Sequence, residues 1–213
     1  MFEINKNAVV QKKIIQDSVV YIIDDFYEDV EKILDFLLII EPEVWKKNQK
    51  PSNNLIYFED KRHSIMSKHV DKVYDFLSNL CGQTKDNLEI PAHAILTNFC
   101  RFKKCEFNDY ENNYWWPHKD DGYTAIIYLN REDSVSGTNL YENLNPENEP
   151  PNHPEHYKPW RSKKNYRLIE TLEPKFNRMV LFDGLKFYHG MNICNDDYFN
   201  ENYRMNQVLF FSP

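Results

Sequence analysis

Tyr123-Thr124-Ala125-Ile126-Ile127-Tyr128-Leu129-Asn130 is rich in β-branched and aromatic residues and lies between turn-forming residues, which predicts a strand. Ala92–Phe102, Asn165–Leu172, Arg178–Phe182 and Tyr203–Phe211 have the same character. All five segments follow residue 90. Upstream, Val19-Val20-Tyr21-Ile22-Ile23 reads as a further strand that ends at Asp24-Asp25. Asp29 then offers an N-cap for a helix with Val30, Ile33, Leu34, Leu37 and Leu38 at helical spacing. A second amphipathic helix is predicted over Ser67–Cys81, with Val70, Val73, Tyr74 and Leu77 on one face. The polar, Pro-containing stretch from 41 to 62 reads as loop.

Strands that follow helices predict an α+β chain whose sheet closes into a barrel or a double-sheet jelly roll, with the N-terminal helices packed on it. On this reading residues 1–213 form a single domain. Its N-terminal part, 1–90, is helical, and its jelly-roll core covers 91–213. A polar, Pro-rich insertion over 131–174 interrupts the core, and a loop that long in a compact domain is functional or disordered.

At 41% hydrophobic and 15% aromatic residues the chain has enough apolar mass for one sizeable core. No apolar run approaches the roughly 18–20 residues of a membrane span. The best candidate, Ile33–Ile40, is short and interrupted by Asp35. Residues 1–6 lack the basic-then-apolar layout of a secretory signal, so a soluble, cytoplasmic protein is expected. The formal charge of −7, with the acids dispersed, disfavours extended contact with long nucleic acid. Cys81, Cys100, Cys105 and Cys194 have no CxxC spacing and are expected to be reduced thiols without a catalytic role.

The chemistry concentrates in Trp115-Trp116-Pro117-His118-Lys119-Asp120-Asp121 and, much later, Tyr188-His189-Gly190. On an extended chain the side chains of residues i and i+2 point to the same face. His118 and Asp120 can therefore aim at one point, while Lys119 and the rival carboxylate Asp121 aim away. His189 from a neighbouring strand completes two imidazoles and one carboxylate. Such a facial triad suits Fe(II) and leaves positions open for a bidentate cosubstrate and O₂, whereas structural zinc takes four protein ligands. Zinc also accepts His and Asp, so residue type alone does not choose the metal. A cosubstrate with a distal carboxylate needs a cation, and Arg204, fifteen positions after His189, opens the last predicted strand.

In this order the residues resemble the prolyl-4-hydroxylase-like branch of the Fe(II)/2-oxoglutarate-dependent oxygenase superfamily. The likeness is carried by His118-Lys119-Asp120, Tyr128-Leu129-Asn130, Ser136-Gly137-Thr138-Asn139-Leu140-Tyr141, and Phe176–Phe182 followed by His189-Gly190. The opening Tyr21-Ile22-Ile23-Asp24-Asp25-Phe26 is also similar to how many members begin. The resemblance implies a double-stranded β-helix, Fe(II), 2-oxoglutarate and O₂, with release of succinate and CO₂. Two departures weigh against a prolyl substrate: an Arg anchor where that branch often has Lys, and Ser136 and Asn139 within a degraded GGxTxF motif. A carboxylate at Asp120, where related halogenases carry Gly or Ala, points to hydroxylation.

Tyr128, Asn206 and Asn98 are further candidates for the cosubstrate site, and Trp116 and Trp160 for the substrate pocket. Arg178 and Lys186 are the alternative anchors. The substrate is expected to be a small molecule or a protein side chain. Two rival readings are a cupin-like protein that holds metal without turnover, and a zinc-dependent hydrolase on the same barrel. The first is indifferent to loss of Arg204, and the second works without oxygen.

Overall fold

The computed structural model describes residues 2–38, 46–49, 56–60, 63–82, 96–102, 110–131, 137–148, 160–194 and 204–211. For 37–38, 46–49, 56–60, 63–70, 96–102, 148 and 211 the backbone alone is described. Among the described residues the chain is mostly β, with two α-helices. The N-terminal part runs β1 (Val9–Ile15), β2 (Ser18–Asp24), α1 (Val30–Leu38), β3 (Lys46–Gln49), β4 (Ile56–Asp60) and α2 (His63–Leu80). The rest runs β5 (Leu96–Phe102), β6 (Asn113–Trp115), β7 (Tyr123–Tyr128), β8 (Thr138–Asn143), β9 (Trp160–Ser162), β10 (Tyr166–Leu172), β11 (Met179–Asp183), β12 (Tyr188–Met191) and β13 (Arg204–Phe211).

Among the described residues all strand pairs are antiparallel. The larger sheet has the order β1-β2-β11-β7-β13-β5-β4-β3, a smaller one β10-β8-β12, and β6 pairs with β9. Between β7 and β13 the chain crosses twice from the larger sheet to the smaller and back, so β11, β7 and β13 become neighbours despite their distance in sequence. This arrangement is consistent with a jelly-roll-type core.

Alternation along the strands of the large sheet creates two apolar faces. Ile23, Ala125, Ile127, Leu129, Met179, Leu181 and Leu209 join one buried cluster with Val30, Ile33 and Leu34 of α1 and Val73, Tyr74 and Leu77 of α2. On the opposite face, Val20, Ile126, Tyr128, Val180 and Phe182 form a second cluster with Leu140 of β8 and Leu172 of β10, which lie in the smaller sheet. The inter-sheet space is thus walled by both sheets.

Several details differ from the sequence reading. The part expected to be helical, 1–90, carries β1, β3 and β4 besides the expected strand at Val19–Ile23, which is β2, and all four belong to the large sheet. β1 reads Val-Val-Gln-Lys-Lys-Ile-Ile and lies at the sheet edge, where charged and polar residues are tolerated because only one side of the strand is paired. β3 and β4 fall within the segment read as loop, at the other edge, beside β5. The supposed insertion 131–174 contains β8 and β9 besides the expected strand at Asn165–Leu172, which is β10, so part of it is framework. α1 begins one residue after Asp29, whose carboxylate accepts from the backbone N–H of Lys32 at 3.2 Å as an N-cap does. α2 starts at His63, four residues ahead of the expected start.

Two long-range ties fix the large sheet to what precedes it. Asn177, at φ 60°, accepts from the Tyr27 backbone N–H at 2.9 Å and donates to the Tyr27 carbonyl at 2.9 Å. Arg178 grips Asp24 with two bonds, Nε to Oδ1 at 2.6 Å and Nη2 to Oδ2 at 3.0 Å. That hydrogen bond holds the Asp24 carboxyl below its ordinary value against the opposing effect of burial. Cys81 is partly buried, which pushes its thiol up to about 12, and Cys194 is exposed. Both are free thiols, whereas Cys105 and the Cys100 side chain lie outside the described residues. Among the described residues no helix is long and apolar enough to cross a membrane.

Candidate metal centre

The chain leaves β6 at Trp115 and turns at Trp116 with φ 38°, a left-handed conformation that is costly for a bulky side chain. The turn lays His118 against His189. Their backbones exchange both hydrogen bonds, His118 N–H to His189 O at 3.0 Å and His189 N–H to His118 O at 2.8 Å. Residues so paired across antiparallel chains put their side chains on the same face. This single bridge extends the smaller sheet by one chain beyond β12 and brings the two rings to a centroid distance of 4.4 Å.

Asp120 arrives from the other side. Its backbone N–H donates to Gly184 O at 3.1 Å, which pins the loop between β6 and β7 to the end of β11. Its Oδ2 lies 3.0 Å from His189 Nε2 and its Oδ1 lies 3.6 Å from His118 Nε2. The ligand atoms of all three residues fall within 4.8 Å of one another, so the trio could hold a metal ion. The Thr124 hydroxyl donates to Asp120 Oδ2 at 2.5 Å and orients the carboxylate.

The other ring nitrogens are held by backbone. His118 Nδ1 is 2.8 Å from Trp116 O, and His189 Nδ1 is 3.3 Å from Phe187 O. A carbonyl only accepts, so Nδ1 is the ring donor to each carbonyl, and Nε2 of each ring is turned toward the carboxylate. At this range a cation, either a proton or a metal ion, belongs between each Nε2 and the carboxylate. Backbone support of this kind is what metal-bound histidines ordinarily have. Burial by itself would push the Asp120 carboxyl up. The charge and hydrogen bond of His189, the charge of His118 and the Thr124 hydroxyl outweigh it and hold the group well below the usual carboxylate range.

Two glycines make the close approach possible. A Cβ on Gly190 would stand 2.2 Å from Trp115 O, and one on Gly184 would stand 2.7 Å from Thr124 Oγ1 and 2.9 Å from Asp120 Cβ. The His118 side chain is 22% exposed and that of His189 4%, so the trio is buried on the β12 side and opens on the His118 side. Lys119 points elsewhere, its ammonium 5.0 Å from the Tyr188 ring centre, and Asp121 is exposed.

Deeper between the sheets, β13 pairs with β7 in the register Asn206↔Tyr128, Val208↔Ile126 and Phe210↔Thr124. Arg204, Asn206 and Val208 therefore share a face with Tyr128, Ile126 and Thr124. Thr124 touches Asp120, and Tyr128 is four residues along the strand, about 13 Å away. Arg204 is 3% exposed, donates to Asn206 Oδ1, and has its guanidinium 5.7 Å from the Tyr128 ring centre. The Tyr128 hydroxyl is 2.8 Å from Thr138 Oγ1 and donates to Leu172 O at 3.4 Å, so it ties the two sheets together. The alternative cations are engaged elsewhere: Arg178 with Asp24, and Lys186, an exposed residue, with Gln16 O. Asn98, on β5, pairs with Val208 of β13, but its side chain lies outside the described residues.

Trp116 stacks on His118, with centroids 4.4 Å apart and planes inclined by 24°. The left-handed turn at Trp116 interrupts strand alternation and brings the two rings together. Trp160 faces Trp115 across β6–β9 with centroids 5.1 Å apart, in a cluster with Tyr110, Trp116, Met191 and Ile193. His153, His156 and Tyr157 of the Pro-rich stretch lie outside the described residues. Thr124 was missed by sequence reasoning. Its place on the same strand face as Ile126 and Tyr128, four residues after Asp120, was the available signal.

No family model and no curated protein matches the chain. Among solved structures it is similar to a selenomethionine-labelled Fe(II)/α-ketoglutarate-dependent dioxygenase, TqaL. The identity is 12%, the TM-score is 0.42, and the match covers 83% of this chain and 73% of that one. A likeness of that degree decides nothing about chemistry.

Proposed function

We propose that this chain is a non-haem Fe(II)- and 2-oxoglutarate-dependent dioxygenase on a double-stranded β-helix, and that it hydroxylates a small molecule or a protein side chain. The observation that carries this reading is one inter-sheet space holding both parts of such a site. At one end His118, Asp120 and His189 converge within 4.8 Å, and farther in Arg204 presents a buried cation on the same strand face. A hydrolase needs the first part and has no use for the second.

In this reading His118 and His189 bind the metal through Nε2 and Asp120 through its carboxylate, with Thr124 fixing the carboxylate rotamer. Two imidazoles and one carboxylate leave room for exogenous ligands, as suits Fe(II). Bound Fe(II) with 2-oxoglutarate would supply O₂ activation coupled to oxidative decarboxylation, one oxygen atom going to succinate and the other to substrate. Arg204 receives the distal carboxylate through its planar guanidinium, while Asn206 holds that side chain in place. Ile126, Val208, Leu140 and Phe182 keep water away from the space between the ends. The substrate enters on the His118 side, where Trp116 and Trp160 stand. The degraded glycine motif and the Arg anchor favour the wider superfamily over its prolyl-hydroxylating branch. Long nucleic acid is disfavoured by the charge, and a cytoplasmic location suits iron in its reduced state.

Succinate formation tests this without knowledge of the substrate. Incubated aerobically with Fe(II), ascorbate and 2-oxoglutarate, the protein is expected to form succinate slowly, in step with O₂ uptake, and to stop when Zn(II) replaces iron. Folded protein that forms no iron-dependent succinate would contradict the proposal.

A further inference from the structure

We infer that Trp116 is a positioning residue for the metal, its indole holding the His118 ring in the plane that directs Nε2 at the site. This rests on the metal-site reading above and adds a residue that no ligand motif includes.

Three observations converge on it. The indole and imidazole lie face to face, 4.4 Å apart and within 24° of parallel. The carbonyl of the same residue accepts the His118 Nδ1 proton at 2.8 Å, so Trp116 grips the ligand by its face and by its edge. The backbone that makes both contacts possible sits at φ 38°, an uncommon conformation that the surroundings must hold. Those surroundings are visible: Gly190 leaves the space that lets the Trp115 and Trp116 carbonyls lie against β12, and the indole packs at the edge of the cluster of Trp115, Trp160, Met191 and Ile193.

The stack also discriminates between metal-free and metal-bound states. A cation on Nε2 withdraws electron density from the imidazole, and an electron-poor ring is attracted to the negative face of an indole. The contact is therefore stronger with metal than without it, and that difference appears as metal affinity. His189, by contrast, meets the Phe182 ring edge to face at 4.8 Å and is buried, so it is held by packing. His118, on the open side, is the ligand that needs an added clamp.

The test uses Co(II) as the probe in the otherwise metal-free full chain. Trp116→Leu keeps apolar bulk for the neighbouring cluster but removes the π face, and Trp116→Phe restores a π face. Loss of support of this kind costs about tenfold or more in metal affinity. The Co(II) dissociation constant of Trp116→Leu is therefore expected to rise by about tenfold, with Trp116→Phe recovering most of the loss. A second readout is the His118 Nδ1 proton, which in the Co(II) form gives a hyperfine-shifted, exchangeable NMR signal. That signal is expected to persist in the native chain and in Trp116→Phe, and to broaden by exchange in Trp116→Leu. Native affinity and a sharp signal in Trp116→Leu would overturn the inference. So would equal losses in both variants that track their metal-free melting temperatures. Failure of the native chain to bind Co(II) would instead overturn the metal-site reading, and His118→Ala, expected to bind none, is the control that separates the two.

Discussion

His189→Ala is expected to lower Fe(II) affinity by more than about 100-fold and to eliminate iron-dependent succinate formation. The supports of a metal ligand are worth 10- to 100-fold, and a ligand itself is worth more. The site has few ways to compensate. His189 supplies the imidazole nearest to the carboxylate, at 3.0 Å, and is buried against Phe182, so no water column takes its place at the same position. The substitution also leaves a cavity, which lowers stability by about 1–3 kcal/mol, and a melting curve on the metal-free variant separates that loss from the metal effect. His189→Gln retains most of the volume and is expected to bind iron just as poorly. Micromolar Fe(II) binding by either variant would show that the metal sits elsewhere.

The second large effect is expected at Arg204. Arg204→Met should raise the dissociation constant for 2-oxoglutarate by about one to two orders of magnitude. That is the loss of roughly 1.5–3 kcal/mol for hydrogen bonding to a charged group. Iron affinity should be unchanged, because Arg204 lies toward the Tyr128 end of the strand face and Asp120 beside Thr124 at the other. Metal-free stability should hold or rise, since a buried cation gives way to an apolar side chain of similar length. This combination separates the anchor from a merely structural arginine, whose loss would lower stability and leave 2-oxoglutarate binding intact. An unchanged constant would refute the anchor. Arg178 and Lys186 are poor substitutes, being held by Asp24 and by the Gln16 carbonyl.

What the sequence revealed and what it hid follow from the same physics. Strands of the large sheet such as β7 and β11 are buried on both faces, and their compositions announce them. β1, β3 and β4 sit at or near its edges, where a strand needs fewer apolar residues, so Gln11, Lys12 and Lys13, the wholly polar Lys46–Gln49, and Glu59 and Asp60 masked them. β8 was masked by Asn139, Glu142 and Asn143, and the 3-residue β6 and β9 are too short for any periodicity to register. The His118, Asp120 and His189 trio was legible because ligand chemistry restricts residue type. The route by which it assembles was not. Alternation alone suggested His118 and Asp120 on a regular strand, whereas a left-handed Trp116, a single His118–His189 bridge and the Asp120–Gly184 bond bring them together. Thr124 and the stacked indole escaped notice because their roles depend on distances that sequence spacing does not encode.

The anaerobic visible spectrum tests the central claim most directly, by adding Fe(II) to the metal-free protein and then 2-oxoglutarate. The account predicts a weak metal-to-ligand charge-transfer band that appears only when both are present, is absent in His118→Ala, and in Arg204→Met needs a higher 2-oxoglutarate concentration. A folded native protein that shows no band with both present would contradict it.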